Sequence, residues 1–297
     1  MRKDTDSLDN SEELPKETAE HAKRLVDDPK RSTDNPYEGY EVEGQSDYLE
    51  RSKVLVPSTM ELGTGGVEKY IISKQIAKMD EPRNLSKDDL IEKKIIFPDS
   101  PDKVTVNKFR GLRTKILEKS GNNNFALLVA STREGGGSSF VSLNLAAAFA
   151  FDSGKTALLI DCNLRQPTLH SRLDLVPDIG LTDFLNDPNM DIASIIYPTG
   201  IPRLRFIPAG TRAEYASEYF SSFRMKQFLH ALRKRYPDRY IIIDAPDFET
   251  SPDSRILSDL CDYSMLVVPH GVVGESEVAD VASSLSKDKL LGVVING

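Results

Sequence analysis

"FALLVASTREGGGSSFVSLNLAAAFA", residues 125–150, sets three patterns end to end. The apolar run 125–130 reads as a buried strand. A turn containing Gly135, Gly136 and Gly137 follows, then Ser138, Ser139 and a helical stretch rich in Ala and Leu. Strand, glycine turn, hydroxyl and helix in this order aim backbone N–H groups and a helix N-terminus at one point, which is how chains hold phosphate. The Ser139 hydroxyl stands where such a loop needs a magnesium ligand. A triple glycine alone is equally a flexible turn. The position where a lysine would be expected holds Ser138.

Working outward, apolar strand candidates recur at 156–160, 204–207, 240–243, 263–268 and 290–295. Helical stretches lie between them, such as 223–236, where Met225, Phe228, Leu229 and Leu232 share a face. Strands alternating with helices predict an α/β fold, a doubly wound and mainly parallel sheet with helices on both faces. Ligands bind such sheets at the carboxyl ends of the strands. Two strands end there in acid: "ALLIDCNLRQPTLH" (157–170) carries Asp161, and "YIIIDAPD" (240–247) carries Asp244. One such Asp is by default a helix cap or turn residue. Two beside a glycine loop make a magnesium–phosphate constellation. The candidate set is therefore Asp161 and Asp244 for catalysis and Ser139, Asp161 and Asp244 for magnesium. Gly135, Gly136, Gly137, Ser138, Ser139 and Arg165 are the candidates for nucleotide.

At 297 residues, with 39% hydrophobic and 28% charged residues, the composition suits a soluble globular protein with some disorder. A net charge of −8 argues against nucleic acid as a partner. Residues 1–53 hold 9 Lys+Arg against 15 Asp+Glu, so most of the negative excess lies near the start. Residues 1–65 are poor in aliphatics and are expected to form a disordered acidic tail, with Tyr37, Tyr40 and Tyr48 as solvated side chains. Residues 66–103 are expected to be a short helical or linker segment. In it, Val67, Ile71, Ile72, Ile76 and Met79 approximate one helical face, and Ser86 with Asp89 forms a capping-box pattern. The main domain is expected over 104–297. Cys162 and Cys261 read as buried free thiols in a reducing compartment. No stretch approaches the roughly 18 apolar residues of a membrane span. The expected location is cytoplasmic, with any membrane role coming through a partner.

Residues 104–297 resemble the bacterial tyrosine kinases (BY-kinases) of capsule and exopolysaccharide synthesis, within the MinD/ParA-like P-loop class. The resemblance rests on "FRGLRTKIL", the glycine loop with "SLNLAAAFA", "LLIDCNLRQPTLH", "GLTDFL", "IPAGT", "LRKRYPDRYIIIDAPD" and "LLGVVING". The Asp-x-x-x-Arg-x-Pro run and the Pro208-Ala209-Gly210 turn favour this branch over partition ATPases. The resemblance implies ATP and Mg2+ as cofactors, a membrane-anchored polysaccharide co-polymerase as partner, and a place on the inner membrane through that partner. It also implies a homo-oligomer built through the Arg110/Arg113 region.

Against the family pattern, Ser138 replaces the P-loop lysine and Asn163 the second Asp of the Walker A′ strand. Asn107 replaces the Glu that opens the Glu-x-x-Arg-x-x-Arg oligomerisation motif, and Asp247 a usual proline. The given sequence reaches Gly297 before any tyrosine-rich tail. The expectation is a degenerate, regulatory or scaffolding BY-kinase-like protein with weak ATP binding. The alternatives are an active tyrosine autokinase, with Asp244 in the Walker B role, and a MinD/ParA-like positioning ATPase.

Overall fold

The computed structural model describes residues 84–121, 123–235 and 238–297. The tail expected over 1–65 and the helix expected over 67–79 lie outside the described residues. The described chain opens with α1 (Lys87–Glu92) and α2 (Lys103–Lys119), then β1 (Ala126–Ser131), α3 (Ser138–Phe149) and β2 (Thr156–Asp161). Next come α4 (Leu169–Arg172), α5 (Leu181–Asn186), a 3-10 turn at Ile192–Ile195, β3 (Tyr197–Pro198) and β4 (Leu204–Ile207). The remainder is α6 (Ala216–Ser221), α7 (Phe223–Arg235), β5 (Arg239–Asp244), α8 (Asp253–Leu260), β6 (Tyr263–Pro269), α9 (Glu275–Ser283) and β7 (Leu290–Asn296).

Seven strands form one sheet in the order β3-β4-β2-β5-β1-β6-β7. Every pairing is parallel except β3 with β4. The six longer strands fall where the apolar runs place them. The two-residue β3 escapes the sequence because so short a segment has no period to read. Strands β1, β2 and β5 are buried along their whole length, so they read as continuous apolar runs rather than alternating ones.

Alternation survives in what each side chain touches. Leu127 and Val129 of β1 join one core with Val106, Phe109 and Ile116 of α2 and Leu143 and Ala147 of α3. Ala126, Leu128 and Ala130 join the opposite core with Phe228, Leu229 and Leu232 of α7 and Leu257 of α8. Helices thus cover both faces, as the doubly wound reading requires. In α7, Met225, Phe228, Leu229 and Leu232 are the buried residues, the four whose spacing marks its inner face.

Ser86 caps α1 in a reciprocal box with Asp89, as its sequence foretells. Beyond α1, Ile95, Ile96 and Phe97 are buried in the first core together with Leu85 and Leu90. The Asn144 amide of α3 fastens this arm. Its Oδ1 accepts from Ile96 N–H (2.8 Å) and its Nδ2 donates to the Lys94 carbonyl (3.1 Å).

Segments 180–185 and 207–211 dock on one another. The Leu181 and Thr182 N–H groups donate to the Pro208 and Ala209 carbonyls (both 2.9 Å). A Cβ on Gly180 would lie 2.4 Å from the Gly210 nitrogen, so only glycine permits this approach. Among the described residues, no helix is long and apolar enough to cross a membrane.

Candidate functional site

Between β1 and α3 the chain makes a tight turn. Ser131 Oγ and Gly136 N–H both donate to the Arg133 carbonyl, at 2.7 and 3.1 Å. Gly135 (φ +71°) and Gly137 (φ +89°) lie in the left-handed region. A Cβ on Gly137 would also fall 2.1 Å from Nδ2 of Asn296, which donates to the Gly136 carbonyl at 3.2 Å. The strand-end Asn296 therefore presses on the loop, and glycine is required both conformationally and sterically. Helix α3 starts at Ser138 without a side-chain cap, leaving its first N–H groups to an external acceptor.

Asp161 and Asp244 are register partners at the carboxyl ends of adjacent strands β2 and β5. Both are 1% exposed. Asp244 Oδ1 accepts from the Ser142 hydroxyl (2.9 Å), and the Ser139 hydroxyl also bonds its carboxylate. The Asp161 carboxylate accepts from the backbone N–H groups of Asn163 (3.0 Å) and Leu169 (3.4 Å), and from that of Thr168. Burial, followed by the neighbouring Asp244 charge, pushes Asp161 up to about 8. Burial likewise lifts Asp244 to about 6, against the Ser139 and Ser142 hydroxyls and the Arg172 charge. Two buried carboxylates facing one another without a cation resist ionising together.

The loop, Ser138, Ser139, Asn163, Gln166, Thr168, Arg172 and Asp247 line a cleft of ≈ 250 Å³. That lies below the ~300–1,000 Å³ of pockets that enclose drug-sized ligands, and suits a phosphate group better than a whole nucleotide. A larger cavity of ≈ 590 Å³ lies between residues 167–177 and 208–210, but its walls hold none of the predicted site residues.

Gly135, Gly136, Gly137, Ser138 and Ser139 line the cleft, while Asp161 and Asp244 are buried rather than lining it, Asp244 being bonded to Ser139. Arg165 is not in the cleft wall, and its Nη2 lies 3.5 Å from Oδ2 of the buried Asp253. Arg133, the other arginine near the loop, donates through Nε and Nη2 to both oxygens of Glu277 at 2.7 Å. Arg172 and Asp247 line the cleft outside the candidate set. Arg172 sits beyond the motif on a four-residue helix, where no periodicity marks it. Asp247 closes a turn by accepting from Thr250 N–H (2.7 Å) and Thr250 Oγ1 (2.8 Å), which its position before Thr250 could have indicated.

The donors fit Mg2+, which is held by one or two carboxylates and completed by phosphate oxygens and water. Ser139, Asp161 and Asp244 would supply the protein ligands. Among the described residues, no group of three or more His, Cys, Asp and Glu could hold a metal without such help. Cys162 and Cys261 are buried and free, and burial raises both thiols. Arg113 Nη1 donates to the Ala148 carbonyl (2.7 Å) and Arg110 Cζ stacks 5.6 Å from the Phe151 ring, so both arginines touch their own chain.

No family model matches the chain. Among curated proteins, it is 31% identical over 197 residues to the tyrosine-protein kinase CpsD of Streptococcus agalactiae serotype III, covering 65% of this chain and 83% of the relative. It is 29% identical over 201 residues to a putative tyrosine-protein kinase, CapB, of Staphylococcus aureus, covering 67% of this chain and 86% of the relative. Among solved structures, the chimerical protein CapA2B2 superposes with a TM-score of 0.61 at 26% identity, covering 77% of this chain and 98% of that one. Identity of 31% over 83% of the CpsD kinase shows that the chain belongs to the bacterial tyrosine-protein kinase family.

Proposed function

We propose that this protein is a regulatory or scaffolding member of the family, acting in exopolysaccharide or capsule polymerisation and export, with impaired ATP binding and without effective tyrosine phosphorylation. The observation that supports this reading is the absence of a lysine at Ser138 together with the engagement of Arg133 and Arg165 by Glu277 and Asp253. A positioned charge on the transferred phosphoryl group contributes ~3 kcal/mol or more in the transition state. A hydroxyl cannot supply it. What the chain keeps is the means to hold phosphate: the loop N–H groups, the open start of α3, and Ser139 with Asp161 and Asp244. Bound Mg2+ would neutralise phosphate charge and orient it. The partner in this reading is a membrane-anchored polysaccharide co-polymerase. Self-association would use surfaces around Arg110 and Arg113.

The test is calorimetric titration of Mg-ATP with a phosphotyrosine assay on wild type and on Ser138→Lys/Asn163→Asp. Ser138 lines the cleft, so a lysine there reaches into it. Asn163 Oδ1 accepts from Gln166 N–H at 3.2 Å, a role that Asp keeps. Wild type should bind weakly and form no phosphotyrosine. The double variant should bind at least about tenfold tighter, a gain of about 1.4 kcal/mol. Tight wild-type binding with phosphotyrosine formation would establish the active autokinase instead.

A further inference from the structure

We infer that Arg172 supplies the positive charge that the glycine loop lacks, and that its guanidinium, across the cleft from Ser138 and Ser139, is the contact through which the protein still recognises nucleotide phosphates. This rests on the reading of the cleft as a nucleotide site.

The charge balance of the cleft carries the argument. Among its described lining residues, Glu134 and Asp247 are acidic and Arg172 is the one cation. Asp161 and Asp244 are buried at the ends of β2 and β5, with Asp244 bonded to Ser139 of the cleft wall. Without Arg172 the charged side chains lining the cleft would be carboxylates alone, leaving backbone N–H groups and bound Mg2+ to oppose their repulsion of a polyphosphate. The other two arginines near the loop are held by carboxylates, Arg133 by Glu277 and Arg165 by Asp253.

Arg172 is also held in place without being consumed. Leu169 and Leu173, both fully buried, anchor the two sides of α4. The Asp161 carboxylate accepts from the N–H groups that open this helix, which ties α4 to the end of β2. Arg172 N–H donates to the Thr168 carbonyl at 3.3 Å, fixing its backbone. Its side chain remains exposed at the cleft wall and close enough for its charge to favour ionised Asp244. A guanidinium presents a planar fork of donors that matches phosphate, so it can bind there without occupying the lysine's position.

The experiment is calorimetric titration of Mg-ATP and, separately, of inorganic tripolyphosphate into wild type, Arg172→Gln, Arg172→Lys and Arg172→Gln/Ser138→Lys. Lys87→Gln, at an exposed site on α1, serves as the charge-matched control. Arg172→Gln should weaken both ligands at least tenfold, with Arg172→Lys falling between wild type and Arg172→Gln because it keeps the charge but loses the planar fork, and Lys87→Gln unchanged. Ser138→Lys should restore binding to Arg172→Gln, an outcome that a merely structural role for Arg172 would not produce. Equal binding by wild type and Arg172→Gln overturns the inference and leaves the proposed function standing. So does a wild type that binds neither ligand at millimolar concentration. Phosphotyrosine formation by wild type overturns the proposed function, while the Arg172→Gln titration still decides the role of Arg172.

Discussion

Asp161 and Asp244 are buried register partners, and this gives the metal-free protein a pH dependence of definite sign. Both carboxyls titrate above their ordinary range, Asp161 at about 8 and Asp244 at about 6. A group whose folded pKa is raised stabilises the fold fully below its unfolded value, and that contribution fades as pH rises through the folded value. The unfolding midpoint of the metal-free protein should therefore decrease as pH rises from about 4 to about 8. Asp161→Asn should flatten the curve. Its absolute stability at low pH should drop, because one amide oxygen cannot satisfy the N–H groups of Asn163, Leu169 and Thr168. Added Mg2+ should stabilise wild type more at pH 8 than at pH 6, since the ligands must be deprotonated. Scanning calorimetry at both pH values checks the three statements. A midpoint that rises with pH in metal-free buffer would contradict the carboxylate pairing.

Helix α3 is the element on which the site depends. Every residue from Val141 to Phe149 is buried, so the helix has no polar face and is held entirely by its neighbours. Phe149 ends it in an aromatic cluster, with ring centroids 5.6 Å from Phe125 and 4.7 Å from Tyr240. That cluster lies at the amino ends of β1 and β5, opposite the cleft. Phe149→Ala should cost ~3–5 kcal/mol in denaturant unfolding, as truncation of a buried aromatic leaves a cavity. The Mg-ATP affinity of the folded fraction should stay unchanged, because the loop end of α3 is fixed separately by Asn296 and the left-handed glycines. A cost under about 1 kcal/mol would mean that the neighbouring helices collapse into the gap.

Across the whole molecule, the arm formed by residues 84–97 ties into the same core as the sheet. It places Leu85, Leu90, Ile95, Ile96 and Phe97 against α2 and α3 and occupies both ends of the Asn144 amide. A chain beginning at residue 98 would expose that apolar surface and leave the Asn144 Oδ1 without its Ile96 donor, Nδ2 keeping only its bond to the Phe140 carbonyl. Relative to a chain beginning at 84, its midpoint should drop by at least about 5 °C, since each kcal/mol shifts a domain of this size by roughly 2–4 °C. An unchanged midpoint would show that the arm contributes nothing to the core. The expected boundary at 104 follows the start of regular alternation, and residues 85–97 contribute to the same core cluster as α2 and α3.

Local sequence was sufficient wherever one residue type answers one physical demand. Continuous apolar runs marked the buried parallel strands, Met225, Phe228, Leu229 and Leu232 marked the inner face of α7, and Ser86 with Asp89 marked a cap. Gly135 and Gly137 marked a backbone that enters the left-handed region, and the strand-end aspartates marked the paired carboxyl ends of β2 and β5. Tertiary structure decided what depends on partners distant in the chain. It joined Arg165 to Asp253 and Arg133 to Glu277, set Asn296 against Gly137, and brought Arg172 to the cleft on a helix too short to show a period. The reason is physical: an arginine's role follows from which carboxylate or anion it meets, and only the fold brings those partners together.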